Sequence, residues 1–571
     1  MSSDRLDRRQ FLGCAAAGAA MALAPLACGG RAASGPSPRP AGSPGSGAAA
    51  PDAPAVAAPH AWLEEATIAS LAAAMASGEH SAKAIAEAYL ARIEALDRRG
   101  PELRSVIEIN PDALADADRL DQERRGRGPR GPLHGIPILL KDNIGTADRM
   151  TTTAGSLALT GSILERDSGV AARLRAAGAV FLGKANLSEW ANFRSTRSLS
   201  GWSARGGQCR NPYAVDRSPC GSSSGSGAAV AANLCAVAIG SETDGSIVCP
   251  SAACGIVGVK PTVGLVSRAG MIPISHTQDT AGPMCRTVAD AAAVLAALAG
   301  PDDRDPATRG ATAAAYRELG GGAVRGARIG VARAYFGYHP GLDKRVEEAI
   351  DAFRELGAEV LDPVDLGPMK DMEEPEFDVL LYEFKADLDA YLAALGPSVP
   401  VRSLADVIAF NEKHAAEEMP MFGQEIFLRA LAKGPLTEPA YKRALARCGR
   451  ISRDRGIDRV IGARKLDALL APTGSPAWLM DPVLGDHFIG SSSSPAAVAG
   501  YPSVTVPAGT VDGLPVGISL FGGKLQERRL LRLAHAFEQA TEHRRPPSLE
   551  KARPGAAGCQ CAGERPVGRG V

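Results

Sequence analysis

Residues 218–250 read SPCGSSSGSGAAVAANLCAVAIGSETDGSIVCP, with serines set between glycines and no histidine among them. A serine hydroxyl is a weak nucleophile until a neighbouring base takes its proton, so the missing imidazole raises the question of what that base is. One candidate lies upstream, where the apolar run IPILL (136–140) leads straight into Lys141. A lysine in water, with a pKa of about 10.4, is neutral only about once in 2,500 molecules at pH 7. Burial lowers that pKa by up to about 3–5 units and makes the amine a usable base. Alternation along the strand turns Asp142 away from Lys141. Attack of a serine on a carbonyl carbon is the chemistry such a set can do.

Competing readings of these residues fail on context. Gly221-Ser222-Ser223-Ser224-Gly225 satisfies the G-x-S-x-G nucleophile elbow with Ser223 central, but an elbow follows a buried strand. Here the preceding RNPYAVDRSPC is a polar loop. Residues 178–185, GAVFLGKA, fall one short of a phosphate-binding loop, with strand and helix in the wrong order and no Ser or Thr for magnesium. SLEK (548–551) matches S-x-x-K but sits in the tail without a K-T-G partner. His134 and His276 stand near motif-like sequence and are each read as hydrogen-bonded loop residues. The chain has no H-E-x-x-H, so metal-assisted hydrolysis has no support. Of 11 cysteines, Cys209, Cys220, Cys235, Cys249 and Cys254 lie in or beside the serine-rich stretch without a CxxC pair. They read as small buried apolar thiols, not as zinc ligands or a disulfide framework.

The elements that must position these residues alternate between helix and strand. SAKAIAEAYLARIEAL (81–96) has Ser81 as N-cap and apolar residues at helical spacing, and SGVAARLRAAG (168–178) is a helix stopped by Gly178. AVFLG, AVAIG, DALLAP (467–472), SVTVPAG (503–509) and LPVGISL (514–520) read as strands, and QERRLLRLAHAFEQAT as a last helix. This alternation predicts an α/β fold with helices covering a large central sheet. Residues 300–465, more polar and helical, are expected to form an insertion over the site. Lys+Arg and Asp+Glu are both 63, so no basic footprint for nucleic acid exists.

The ends of the chain read differently. Arg8 and Arg9 precede Phe11, Leu12 and the short run AAAGAAMALAPLA, which resembles a twin-arginine export signal over residues 1–28. PLACGG ends it like a lipoprotein processing site with Cys28 as lipid acceptor, although Pro25 stands where that pattern has leucine; the alternative is cleavage nearby. Residues 29–60 are a Gly/Pro/Ser/Ala linker, 61–545 one folded domain, and 546–571 a Pro/Gly/Arg tail read as disordered. The expected location is outside the cytoplasm, in the periplasm or anchored facing it, with the cytoplasm as the alternative.

Three segments belong together: PLHGIPILLKDNI, SPCGSSSGSGAAVAANL and GSETDGSIVCPSAACGIVGVKPT. With QDTAGPM (278–284), LLAPTGSP (469–476) and AGYPSVTVPAGTVDGLPVGISL (499–520) they resemble the amidase signature family of serine hydrolases, from about residue 62 to 545. The resemblance implies a single large α/β domain with a mixed central sheet covered by helices on both faces. It implies a Ser–cisSer–Lys triad working through an acyl-enzyme, with Lys141 as base, Ser222 as the bridging serine on a cis peptide bond and Ser246 as nucleophile. No metal or cofactor is implied. The turn at Thr243, Asp244, Gly245 and Ser246 is expected to aim its N–H groups at one point as an oxyanion hole. Many members have glycine where this chain has Asp244, whose carboxylate is expected to face the substrate's amide or amino group. NLSEWANFRS, GWSARGGQ and YEFKADLDAYLA resemble the peptide amidase branch, which removes the C-terminal amide of peptides. A peptide amide or similar linear amide is then the substrate, with no obligate protein partner. The alternatives are the glutamine-hydrolysing subunit of tRNA-dependent amidotransferase, and an exported binding lipoprotein that kept the fold and lost the chemistry.

Overall fold

The computed structural model describes residues 59–312, 316–320 and 324–549. The Arg8-Arg9 signal, Cys28 and nearly all of the linker and tail lie outside the described residues.

Thirteen strands are described: β1 (Val106–Ile109), β2 (Pro137–Lys141), β3 (Val180–Ala185), β4 (Trp202–Ser203), β5 (Gly207–Gln208), β6 (Val237–Glu242), β7 (Val257–Lys260), β8 (Thr280–Cys285), β9 (Arg328–Val331), β10 (Glu359–Leu361), β11 (Ala468–Pro472), β12 (Ser503–Val511) and β13 (Leu514–Phe521). Apart from the small β4–β5 hairpin they form one sheet in the order β1-β3-β2-β6-β8-β7-β12-β13-β11-β9-β10. The sheet is mixed: β3, β2 and β6 run parallel, β6 to β11 pair antiparallel through β8, β7, β12 and β13, and β11, β9 and β10 are parallel again. It is flanked by helices, as the α/β reading requires. Strands β2, β6 and β13 are buried along their whole length, which explains why they read as nearly continuous apolar runs.

Local sequence sets the helices around the site. Ser81 and Ser168 cap Ala82–Arg92 and Gly169–Ala176, accepting from Ala84 N and Ala171 N. The helix Ser224–Ala231 is built from small, fully buried residues. A Cβ on Gly225 would lie 2.2 Å from Ser105 O and 2.6 Å from Asn186 N, so glycine is what lets this helix touch the backbone of its neighbours. Its N-terminus thereby sinks Ser222 and Ser223 into the core.

Residues 300–465 are not one insertion. Strands β9 and β10 complete the sheet edge, and the helix Pro340–Glu355 buries Leu342, Val346, Ala349, Ile350 and Phe353 in the main core. The helices Glu373–Ala393, Leu404–Lys413 and Glu425–Leu431 form a separate apolar layer with Leu187, Trp190, Phe193, Ile272 and Ile274. Among the described residues no helix is long and apolar enough to cross a membrane.

Candidate active site

Lys141 ends β2 with no exposed surface. Its Nζ lies 2.7 Å from Ser222 Oγ, and 2.9 Å and 3.1 Å from the Oγ and O of Ser241 on β6. Burial pushes its pKa from 10.5 down to about 7, against the upward pull of the Asp279 and Glu242 carboxyls. The three contacts suit either protonation state. As an ammonium Nζ can donate to all three oxygens; as a neutral amine it keeps two N–H donors for Ser241 O and Oγ and can accept from the Ser222 hydroxyl. Asn143 Nδ2 donates to the same Ser241 Oγ at 2.9 Å and fixes it. Asp142 is turned elsewhere, towards Thr153 and Arg205.

The Gly221–Ser222 peptide bond is cis. A Cβ on Gly221 would meet Ser188 Oγ at 2.2 Å, so this loop closes over Ser188 only with glycine there. Ser223, the central serine of the elbow pattern, is fully buried and engaged by backbone: its Oγ donates to Ser241 O at 3.1 Å and accepts from Ser241 N at 3.2 Å.

Ser246 lies on the turn that follows β6, and its carbonyl accepts from Ser223 N at 3.0 Å, which draws the turn onto the bridging loop. Among the described residues no hydrogen bond joins the Ser222 and Ser246 hydroxyls. Three anchors shape the turn. Glu242 accepts from Ile247 N at 2.7 Å and Val248 N at 3.0 Å. Thr243 Oγ1 donates to Asp279 Oδ1 at 2.6 Å, while Asp279 Oδ2 accepts from Ile274 N and Ser275 N. Gly245 takes φ 78°, a conformation that favours glycine. Among the described residues, the N–H groups of Thr243, Asp244, Gly245 and Ser246 donate to no protein acceptor.

Asp244 departs from its expected role. Its carboxyl turns into the protein: Oδ2 accepts from Ser494 Oγ at 2.6 Å and Oδ1 is buried without a partner. The cysteine reading also needs correction, because Cys220 and Cys249 form a disulfide with Cα atoms 6.0 Å apart. Spacing in sequence carries no signal for that pair; the fold brings the bridging loop and the helix Val248–Ala253 side by side. Cys209, Cys235, Cys254, Cys285 and Cys448 are free and buried.

The histidines do not reach the lysine. His134 Nδ1 accepts from Arg130 N, leaving the proton on Nε2 for Leu120 O at 3.0 Å. His276 pairs with Asp387 at 2.8 Å, which raises its pKa. With Glu383 it makes a group whose ligand atoms lie within 4.8 Å of one another. The Glu383 oxygens already accept from Ser275, Thr277 and Tyr441, so this cluster is satisfied as an ion pair. Ser241, Asn143, Glu242, Gln278, Asp279 and Glu376 were not singled out as site residues by sequence. All but Glu376 lie inside the segments that carry the family resemblance, PLHGIPILLKDNI, GSETDGSIVCPSAACGIVGVKPT and QDTAGPM, and that membership was the available signal.

Comparison with known proteins identifies the family. The amidase family model matches residues 84–531. A probable amidase of Arabidopsis thaliana is 44% identical over 502 residues, covering 85% of this chain and 92% of that protein. A glutamyl-tRNA(Gln) amidotransferase subunit from Symbiobacterium thermophilum is 36% identical over 487 residues, covering 82% and 95%. The native peptide amidase from Stenotrophomonas maltophilia superposes with a TM-score of 0.81 at 54% identity, covering 86% of this chain and 99% of that one. The chain belongs to the amidase signature family and is an amide-hydrolysing enzyme.

Proposed function

We propose that the enzyme hydrolyses the C-terminal carboxamide of peptides, or a similar linear amide, to the acid and ammonia. The observation that carries the catalytic part is the buried amine of Lys141, 2.7 Å from Ser222 Oγ at the foot of the Ser246 turn. Ser246 Oγ attacks the carbonyl carbon, its proton passes to Ser222, and the Ser222 proton passes to Lys141. The N–H groups of Thr243–Ser246, which have no protein acceptor, stabilise the oxyanion; losing one such donor typically costs about 10²–10³ in turnover. Collapse expels the amide nitrogen as ammonia with the proton returned through Ser222. Water then attacks the acyl-Ser246 ester by the same relay and releases the acid.

The higher of two likenesses supports the substrate class. Identity is 54% to the peptide amidase and 36% to the amidotransferase chain. We also propose export: a disulfide beside the catalytic serines fits an oxidising compartment, as Arg8-Arg9 does. Released ammonia from a panel of peptide amides, fatty amides and glutamine tests the substrate. Turnover of peptide amides with glutamine inert is the expected result; preference for glutamine would move the reading to the amidotransferase.

A further inference from the structure

Glu376 sits in the first turn of the helix Glu373–Ala393, far in sequence from the catalytic serines, with 2% of its surface exposed. Its Oε1 accepts from Gln278 Nε2 at 3.0 Å, and the same Gln278 nitrogen lies 3.4 Å from Thr243 O. Its Oε2 is buried without a partner, and so is Asp244 Oδ1. The two carboxyls are in hydrogen-bonding contact with each other. Two ionised carboxylates cannot share a buried contact of this kind, and a single proton between them satisfies both orphaned oxygens.

We propose that Glu376 is a positioning residue: held as a neutral carboxylic acid, it donates its proton to Asp244 and so ties the Ser246 turn to the overlying helix. The surroundings decide which partner keeps the proton. Asp244 receives the Ser494 hydroxyl, has Ser493 as a further hydrogen-bonding neighbour, and is favoured in its charged form by the field of Lys260, with Glu242 and Tyr335 also within electrostatic reach. Glu376 receives only the neutral Gln278 amide and faces Glu373 and Cys448. Burial raises both, Glu376 well above the ordinary carboxyl range. The shared proton connects the residue two before Ser246 with the apolar layer of helices, so a departure at one position has a matching partner on a distant element. The consequence for turnover rests on Ser246 as nucleophile; the proton itself does not.

Glu376→Gln offers an N–H to Asp244 and a carbonyl to Gln278, whereas Glu376→Ala offers neither. Turnover of Glu376→Gln should stay close to wild type, and Glu376→Ala should lose kcat by roughly 100-fold with KM little changed, as for a misplaced reacting group. An infrared difference spectrum of wild type minus Glu376→Gln at pH 7 needs folded protein but no turnover. It should show one protonated-carboxyl C=O band in the wild type. Absence of that band, or a Glu376→Gln variant as impaired as Glu376→Ala, overturns the proposal. If the variants do not fold, the wild type decides: the band and kcat should decline together as pH rises, and kcat unchanged after the band is lost overturns it. A band present in a protein inactive on every amide would instead remove the functional reading and leave the proton.

Discussion

At the scale of single residues, a buried lysine with a lowered pKa lies beneath a serine pair, and the consequences can be measured. Ser246→Ala should lower kcat by roughly 10⁴–10⁶-fold, as removal of a serine nucleophile does elsewhere. Lys141→Ala and Ser222→Ala, which interrupt the proton path, should each lower it by about 10²–10⁴-fold. Ser223→Ala removes two backbone contacts but no reacting group, so it should cost stability more than turnover. Normal turnover in Ser246→Ala with an inactive Ser223→Ala would show the elbow serine to be the nucleophile. The pH profile carries a sign. Below its pKa of about 7 Lys141 holds a proton and cannot accept one, so kcat/KM should fall tenfold per pH unit on the acid side and level off above until the Glu376 proton is lost. An acid limb near the ordinary carboxyl range, with none near 7, would assign the base to another group. Lys141 stood out in sequence at the end of an apolar strand, whereas Ser222 and the 243–246 turn were told from the neighbouring serines and glycines by the family resemblance. Ser241 and Glu376 stood out by neither, since their roles depend on strand pairing and on a helix more than 100 residues away.

At the scale of elements, most strands with a clear apolar run were legible, while several short or weakly apolar ones were not. Thr280–Cys285 carries Gly282 and Pro283, which break its apolar pattern, yet it pairs between β6 and β7 in the middle of the sheet. Arg328–Val331 and the edge strand Glu359–Leu361 are short strands in a region whose composition reads as helical, so sheet membership there comes from tertiary pairing. The Cys220–Cys249 disulfide was likewise invisible, being set by the approach of two segments 29 residues apart. It clamps the segment before Ser222 to the helix after Ser246, against Ala253 and Trp478. Replacing both cysteines by serine should lower unfolding stability by about 2–4 kcal/mol, and reductant should reproduce the loss in the wild type but not in the variant. Equal melting of wild type with and without reductant would show that the bridge contributes nothing.

For the whole molecule, one mixed sheet carries Lys141, Ser241 and the root of the Ser246 turn on the adjacent strands β2 and β6, while Ser222 and Ser223 come from the loop and helix laid across them. The α/β class followed from alternation of elements along the chain; the strand order did not, because it depends on long-range pairing. Location is a property of the whole chain as well. Fractionation of cells expressing wild type, Arg8→Lys/Arg9→Lys and Cys28→Ala should place the wild type outside the cytoplasm, retain the arginine variant inside, and release the cysteine variant if Cys28 carries lipid. An active wild type wholly in the cytoplasm would end the export proposal. The central claim is that Ser246 is the nucleophile, and covalent labelling tests it most directly. A serine-reactive fluorophosphonate, followed by peptide mapping by mass spectrometry, should place a single adduct on Ser246, abolished by Lys141→Ala; an adduct on Ser222 or Ser223, with Ser246 unmodified, would contradict the account.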